Sequence, residues 1–275
     1  MQTETAKPER GIGMKHKEYR KLHAEWYELV SASMGPSKEV DFLGSKIREL
    51  GQPALELGSG TGKILIPLLE QGFDVTGVDT SEDMTACCLA ACARKNLEAE
   101  IYEQSMVELD LPRRFRLIFL DSGGLGLFTE DRDIEATFQR VMEHLEPGGH
   151  FLYDFELVPA PYEDHDRWTG DWICGADDVV IAWRKRTKHD PVTHVWRWLF
   201  IVEKFVDGQL VETEANERWG RTFTLEEALQ YARAAGFEKV RATDWLTEDP
   251  PSGTSKLISV QCRKPRPGPA PTGAG

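Results

Sequence analysis

Cysteine is scarce in this chain. Five occur in 275 residues, an odd number, and no pair has the CxxC spacing of a zinc site. Neither a disulfide framework nor a metal centre is expected, and a reducing cytoplasm is the simplest home. Basic charge is in deficit. Lys and Arg number 33 against 46 Asp and Glu, a net charge of −13, with a pI near 5.1. A chain this acidic is poorly suited to gripping phosphate backbones or anionic membranes through bulk electrostatics. Long apolar runs are missing too. None approaches the ~18 residues of a spanning helix, and the opening MQTETAKPERGIGMKHKEYRK lacks the apolar stretch of a signal peptide. No internal repeat is visible. What is present, 40% hydrophobic and 29% charged residues, suits a globular protein with a substantial core.

Punctuation along the chain gives the organisation. Residues 1–14 are polar and read as a flexible N-terminus. The last twelve, 264–275, are rich in Pro, Gly and Ala and read as a disordered tail. Between them, 15–263 reads as one domain. Helices are expected near 19–33 and 38–50, then a short apolar strand at 53–57, a Gly-rich turn and a helix at 63–71. A second strand runs over 73–78, and Thr80 with Asp83 predicts the capped start of another helix. Strands follow near 99–102, 116–120 and 150–155, with an amphipathic helix at 131–145. Alternating strands and helices imply βαβ units and a mostly parallel sheet with helices on both faces. From 157 to 222 the grammar changes to an antiparallel meander with strands near 178–188, 193–206 and 210–221. Asp207-Gly208 is a hairpin signal there. Thr224 with Glu227 then caps a helix, and two strands close the domain, so the meander is an insertion.

The most informative segment is ALELGSGTG, residues 54–62. It follows a strand and opens a helix. Gly58, Gly60 and Gly62 let the backbone turn tightly beside a ligand, and the helix start offers free N–H groups. Asp79 ends the second strand, where a carboxylate can accept both hydroxyls of a ribose. The third glycine comes one residue early for a dinucleotide fingerprint, and no GxxxxGK[ST] appears. Glu56, two residues before the first glycine, suits an amino-acid end rather than a pyrophosphate.

With these residues in view, 54–155 resembles the core of a class I S-adenosylmethionine-dependent methyltransferase. LELGSGTG resembles the family's first motif and GVDTSEDM its second. FRLIFLDSG resembles the fourth, and LEPGGHFLYDF the helix–PGG–strand segment. YARAAGF and the strand after it resemble the closing elements. The resemblance spans about 20–262, broken by the meander, and is closest to small-molecule methyltransferases with an antiparallel lid, such as those acting on sugars and secondary metabolites. It implies a Rossmann-like seven-stranded sheet whose last strand is antiparallel, with S-adenosylmethionine as donor and S-adenosylhomocysteine as product. By the same resemblance Glu56 and the backbone of Gly58, Ser59, Gly60 and Gly62 hold the methionine part. Asp79 takes the ribose, and Thr80 and Met84 line the adenine. Gln104-Ser105-Met106 stands where the family often has an acid, so Ser105 or main chain contacts the adenine. Tyr27, joined by Tyr19, covers the cofactor carboxylate unless both simply pack the helix. Asp121 and Ser122 end the fourth strand and border the site.

Methyl transfer needs an aligned acceptor, excluded water and at most one proton acceptor. Asp154, at the end of the fifth strand, is the candidate for orienting or deprotonating an acceptor, with backbone or cofactor bonding as its other reading. Six of the eight Trp fall in 168–219. They either wall an acceptor pocket or pack the meander on the main sheet. Arg184, Arg197, Arg218 and Arg221 are candidates to meet an acidic acceptor. Cys88 and Cys92 share a helix face as small core residues. The expected function is methylation of a nitrogen or oxygen of a small molecule, without nucleic-acid or membrane partners; oligomeric state stays open, a homodimer included. The rivals are non-methylation chemistry on the same cofactor and a non-catalytic cofactor-binding partner protein.

Overall fold

The computed structural model describes residues 19, 21–33, 37–158 and 168–267. The readings of 1–14 and of 268–275 lie outside the described residues. Helices α1 (Lys21–Ser33) and α2 (Lys38–Leu50) precede β1 (Ala54–Leu57). Then come α3 (Leu65–Glu70), β2 (Val75–Asp79), α4 (Glu82–Arg94), β3 (Glu100–Glu103), β4 (Phe115–Leu120), α5 (Asp131–His144) and β5 (Leu145–Glu156). Strands β6 (Trp168–Cys174), β7 (Val179–His189), β8 (Val195–Val206) and β9 (Gln209–Arg221) follow. Helix α6 (Leu225–Ala234), β10 (Glu238–Asp244) and β11 (Leu257–Arg263) complete the order. Among the described residues no helix is long and apolar enough to cross a membrane.

Seven strands form one sheet in the order β10-β11-β5-β4-β1-β2-β3. The β1–β5 pairings are parallel, and β11 enters antiparallel between β5 and β10. Because side chains alternate along a strand, each strand feeds two cores. Leu55, Leu57, Ile118, Leu120, Phe151 and Tyr153 pack on the side of α5 and α6. Ala54, Leu117, Phe119 and Leu152 pack with Val40, Leu43, Ile47 and Leu65 on the other. Fully burying each large apolar side chain contributes roughly 1.5–3 kcal/mol. The same alternation puts Glu56 on the second face, and on that face the apolar run ends in carboxylates at the strand tips.

Four details differ from the sequence reading. Among the described residues the meander has four strands, in the order β6-β7-β8-β9. The extra one, WTGDWIC, carries Gly170 and Asp171 and is largely exposed, so it has no alternating apolar signal. Ser81, not Thr80, caps α4, its hydroxyl accepting the Met84 N–H at 3.2 Å. Helix α3 starts two residues later than expected, because Gly62 still belongs to the turn. Lys264, placed in the tail, is held by the carbonyls of Met142 and Leu145 at 2.6 and 2.8 Å.

Helix α1 joins the two sheets. Lys21 N–H donates to Asp83 of α4 at 3.0 Å. Leu22 packs with Ile181 and Val202 of the small sheet, with Trp26, Trp183 and Phe200 around them. Trp183 stacks on Phe200 at 5.6 Å and meets Trp26 at 5.8 Å. The central tryptophan of the meander therefore packs on α1, not on the main sheet. Trp172 is 68% exposed.

Candidate active site

The site grows from the turn after β1. Gly58 N–H and Ser59 N–H donate to the Val78 carbonyl at 2.7 and 2.9 Å, tying the turn to β2. Gly58, Gly60 and Gly62 have φ of +73°, +54° and +87°, the left-handed region that favours glycine. Their surroundings differ. A Cβ on Gly58 or Gly60 would meet no atom within 4 Å, so open space lies beside the turn. A Cβ on Gly62 would lie 2.5 Å from Cys88 Sγ and 2.7 Å from Ile66, so this glycine is a packing requirement. Cys88 is thus the small residue beneath the turn, and burial pushes its thiol far up, away from thiolate chemistry.

Asp79, at the tip of β2, faces the turn directly. One carboxylate oxygen accepts the Gly60 N–H and the other the Ser81 N–H, both at 2.8 Å. Turn and aspartate therefore adjoin, as their spacing predicts. Each oxygen can accept more than one bond, so these contacts leave the carboxylate able to receive a ligand hydroxyl. Gln104 N–H donates to the Asp79 carbonyl at 3.0 Å, bringing the exit of β3 alongside. There Ser105 caps a short turn through the Val107 N–H at 3.3 Å, and Met106 packs against the core. Thr80 is exposed and Met84 buried.

Glu56 is the unusual group. It is 4% exposed, and its Oε2 has no hydrogen-bond partner among the described residues. Burial pushes its carboxyl well above the usual carboxylate range, and the negative charges of Asp121 and Asp79 add to the rise. Ser59 Oγ is likewise buried without a partner. Uncompensated polar atoms of this kind cost of order 1–3 kcal/mol each. A ligand bringing positive charge and hydrogen-bond donors would offset that cost. Open space at Gly58 and Gly60, the orphaned Glu56 oxygen and the anchored Asp79 together fit the methionine and ribose ends of S-adenosylmethionine.

A second group of acids adjoins Glu56. Leu120 of β4 pairs with Tyr153 of β5, so Asp121 and Asp154 stand side by side one residue further on. Asp154 is 5% exposed, and Trp245 Nε1 donates to its Oδ2 at 2.8 Å. Ser259 of β11 is its register partner on the other flank. Burial, then the Asp121 charge and a hydrogen bond with Asp121, push the Asp154 carboxyl well up. Asp121 is the more exposed member, and its Oδ2 accepts from Ser122 Oγ at 2.9 Å. Asp154 thus lies behind Asp121. Its tryptophan partner, far along the chain, carries no signal that sequence reasoning could use.

Tyr19 and Tyr27 meet edge to face at 4.9 Å, with the Tyr27 hydroxyl donating to that of Tyr19 at 3.4 Å. Burial pushes the Tyr27 phenol well up. Ser81 Oγ donates to the Tyr19 carbonyl, which holds this pair beside the tip of β2. The lid arginines divide. Arg184 faces Glu203 at 3.6 Å, Arg197 pairs with Glu217, and Arg221 pairs with Asp131 at 2.5 Å. Only Arg218 among the four reaches the two tyrosines, its guanidinium carbon 3.0 Å from the centre of the Tyr19 ring. A separate open cavity of about 680 Å³ lies between the β7–β8 connection and the starts of α5 and α6, and none of its lining residues belongs to the candidate donor site.

Comparison with known proteins agrees with this geometry. Residues 54–149 match a methyltransferase domain family. The chain is 27% identical over 171 residues to the dTDP-3-amino-3,4,6-trideoxy-alpha-D-glucopyranose N,N-dimethyltransferase of Streptomyces venezuelae, covering 60% of this chain and 69% of that one. Among solved structures it resembles a sugar N-methyltransferase from Streptoalloteichus sp., with a TM-score of 0.71 at 18% identity over 96% of this chain and 100% of that one. It also resembles an S-adenosylmethionine-bound amino pentose methyltransferase from Micromonospora echinaspora, with a TM-score of 0.65 at 18% identity, covering 91% and 100%. The domain match over 54–149, the strand order and the glycine turn agree in a class I S-adenosylmethionine-dependent methyltransferase fold.

Proposed function

We propose that this protein methylates a nitrogen or oxygen of a small-molecule acceptor, and that an amine of an amino-sugar type is the preferred target. The observation that carries the donor half is the pairing of an orphaned buried Glu56 oxygen with an open glycine turn bonded to Asp79. The acceptor half rests on likeness to sugar N-methyltransferases. When bound, the donor supplies an electrophilic sulfonium methyl. Glu56 then receives the donor's ammonium, with Ser59 and the backbone of Gly58, Gly60 and Gly62 around the methionine part. Asp79 receives ribose hydroxyls. Thr80, Met84, Ser105 and Met106 border the adenine, and Tyr19 and Tyr27 cover the amino-acid end. Asp121 and Ser122 border the methyl side. Asp154 acts through Asp121, keeping a carboxylate in place where an acceptor proton can be taken.

In this reading 15–263 is the catalytic domain and 157–222 its lid. Free cysteines and net negative charge favour a cytoplasmic location without nucleic-acid partners. Calorimetry with S-adenosylmethionine and S-adenosylhomocysteine tests the donor. Both are expected to bind in the micromolar range, NAD is expected not to bind, and Asp79→Ala is expected to weaken binding by roughly 1–3 kcal/mol. Equal affinity of variant and parent would refute the ribose assignment. Incubation with S-adenosylmethionine and a panel of dTDP-amino sugars, read by mass spectrometry, tests the acceptor. Absence of any methylated product would remove the amino-sugar reading.

A further inference from the structure

Arg218 belongs to β9 of the small sheet, yet its side chain ends at Tyr19 beside the tip of β2. Its Nε donates to Asn216 Oδ1 at 3.3 Å, and its Nη2 is buried without a hydrogen-bond partner among the described residues. The carboxylates around it have other bonds. Glu214 accepts from the Leu22 N–H at 3.0 Å and meets His23 Nδ1 at 2.8 Å. Asp79, whose charge Arg218 senses, holds the Gly60 and Ser81 N–H groups. Asn216 in turn bonds both His23 and Glu214, at 3.1 and 3.2 Å. A chain of buried His23, half-buried Glu214 and buried Asn216 therefore sets the arginine in place and leaves one arm of its fork unsatisfied among the described residues. Arg184, Arg197 and Arg221 are paired within the fold, and Lys63 at the glycine turn is held by Glu39 at 2.8 Å. A guanidinium in this condition calls for an anion that the described residues do not supply.

Charge balance identifies that anion, taking the donor reading above as given. S-adenosylmethionine carries a sulfonium, an ammonium and a carboxylate. The site opposes the two positive centres with Glu56, Asp79 and Asp121, while the lysine at the glycine turn, Lys63, is already held by Glu39. We propose that Arg218 is the counter-charge for the donor's carboxylate, so that the small antiparallel sheet completes the donor site as well as covering the acceptor. Tyr19 stacks on the guanidinium, and Tyr27 buttresses Tyr19. Donor binding then ties β9 to α1 and to the β2 tip, and couples seating of the small sheet to occupancy.

The test compares S-adenosylhomocysteine with 5′-methylthioadenosine, which keeps the adenosine and lacks the amino-acid end. Both are titrated into the full chain and into Arg218→Gln and Arg218→Lys. Arg218→Gln is expected to weaken S-adenosylhomocysteine roughly 10- to 100-fold, the range for a charge-assisted bond, while 5′-methylthioadenosine changes by less than about twofold. Arg218→Lys is expected to fall between. An equal loss for both ligands would show that Arg218 merely supports the fold, and no loss for either would remove it from the site. Either result overturns the proposal and leaves the donor reading standing. A parent protein that binds neither ligand would overturn the donor reading itself, and this inference with it.

Discussion

Replacing Glu56 by Gln should make the unliganded protein more stable and the donor bind less well. In the folded state Glu56 is 4% exposed, has an oxygen without a partner and shares its surroundings with Asp121 and Asp79. Its carboxyl is therefore pushed well above the ordinary 4.5. The folded state binds a proton that the unfolded chain has released, so stability falls as pH rises through the interval between the two values. The slope is about 1.4 kcal/mol per pH unit for one proton. Asp154 is shifted the same way and adds to the fall. Glutamine is isosteric and does not ionise, so Glu56→Gln should remove up to one proton from that slope. At pH 8 it should raise stability by about 1–3 kcal/mol. Urea unfolding without ligand at pH 5.5, 7 and 8.5 measures this. The binding arm is independent. A donor ammonium favours the ionised carboxylate, so S-adenosylhomocysteine binding to the parent at pH 7 should release protons. Calorimetry in buffers of different ionisation enthalpy should find a smaller release, and weaker binding, in the variant. A variant as pH-sensitive as the parent, with the same proton release, would show that Glu56 is already ionised in the free protein and would refute the argument.

Other variants probe neighbouring parts of the site. Gly62→Ala would put a Cβ 2.5 Å from Cys88 Sγ at a φ of +87°, an overpacking and strain cost of about 1–3 kcal/mol in denaturant unfolding; a neutral result would mean the turn relaxes freely. Trp245→Phe removes the N–H that Asp154 accepts at 2.8 Å. It should cost about 1–3 kcal/mol, and the loss should grow with rising pH because the bond favours the ionised carboxylate; a pH-independent loss would point to packing alone. Asp79→Ala and Arg218→Gln should separate by ligand. The first should weaken both S-adenosylhomocysteine and 5′-methylthioadenosine, the second only S-adenosylhomocysteine, and titration of both ligands into both variants distinguishes them.

The amino-acid sequence alone determined the α/β grammar, the glycine turn and the aspartate that meets it, because each depends on local backbone. Left-handed φ at Gly58, Gly60 and Gly62 and a short strand on either side of a helix leave few other arrangements. It was off by one hydroxyl at the cap of α4, where Thr80 and Ser81 are adjacent and the residue at which the backbone turns helical decides which of them caps. Strand β6 escaped it, since an exposed edge carries no buried alternation. Tertiary structure alone decided what depends on who stands opposite. Arg184, Arg197, Arg218 and Arg221 are the same residue type on the same small sheet. Three are paired with carboxylates and one is not, and the placement of α1 against β9 makes that difference. Asp121 and Asp154 both end strands, and only the β4–β5 register sets one behind the other. Spacing along a chain encodes local conformation, whereas the partner of a charge is fixed by long-range packing.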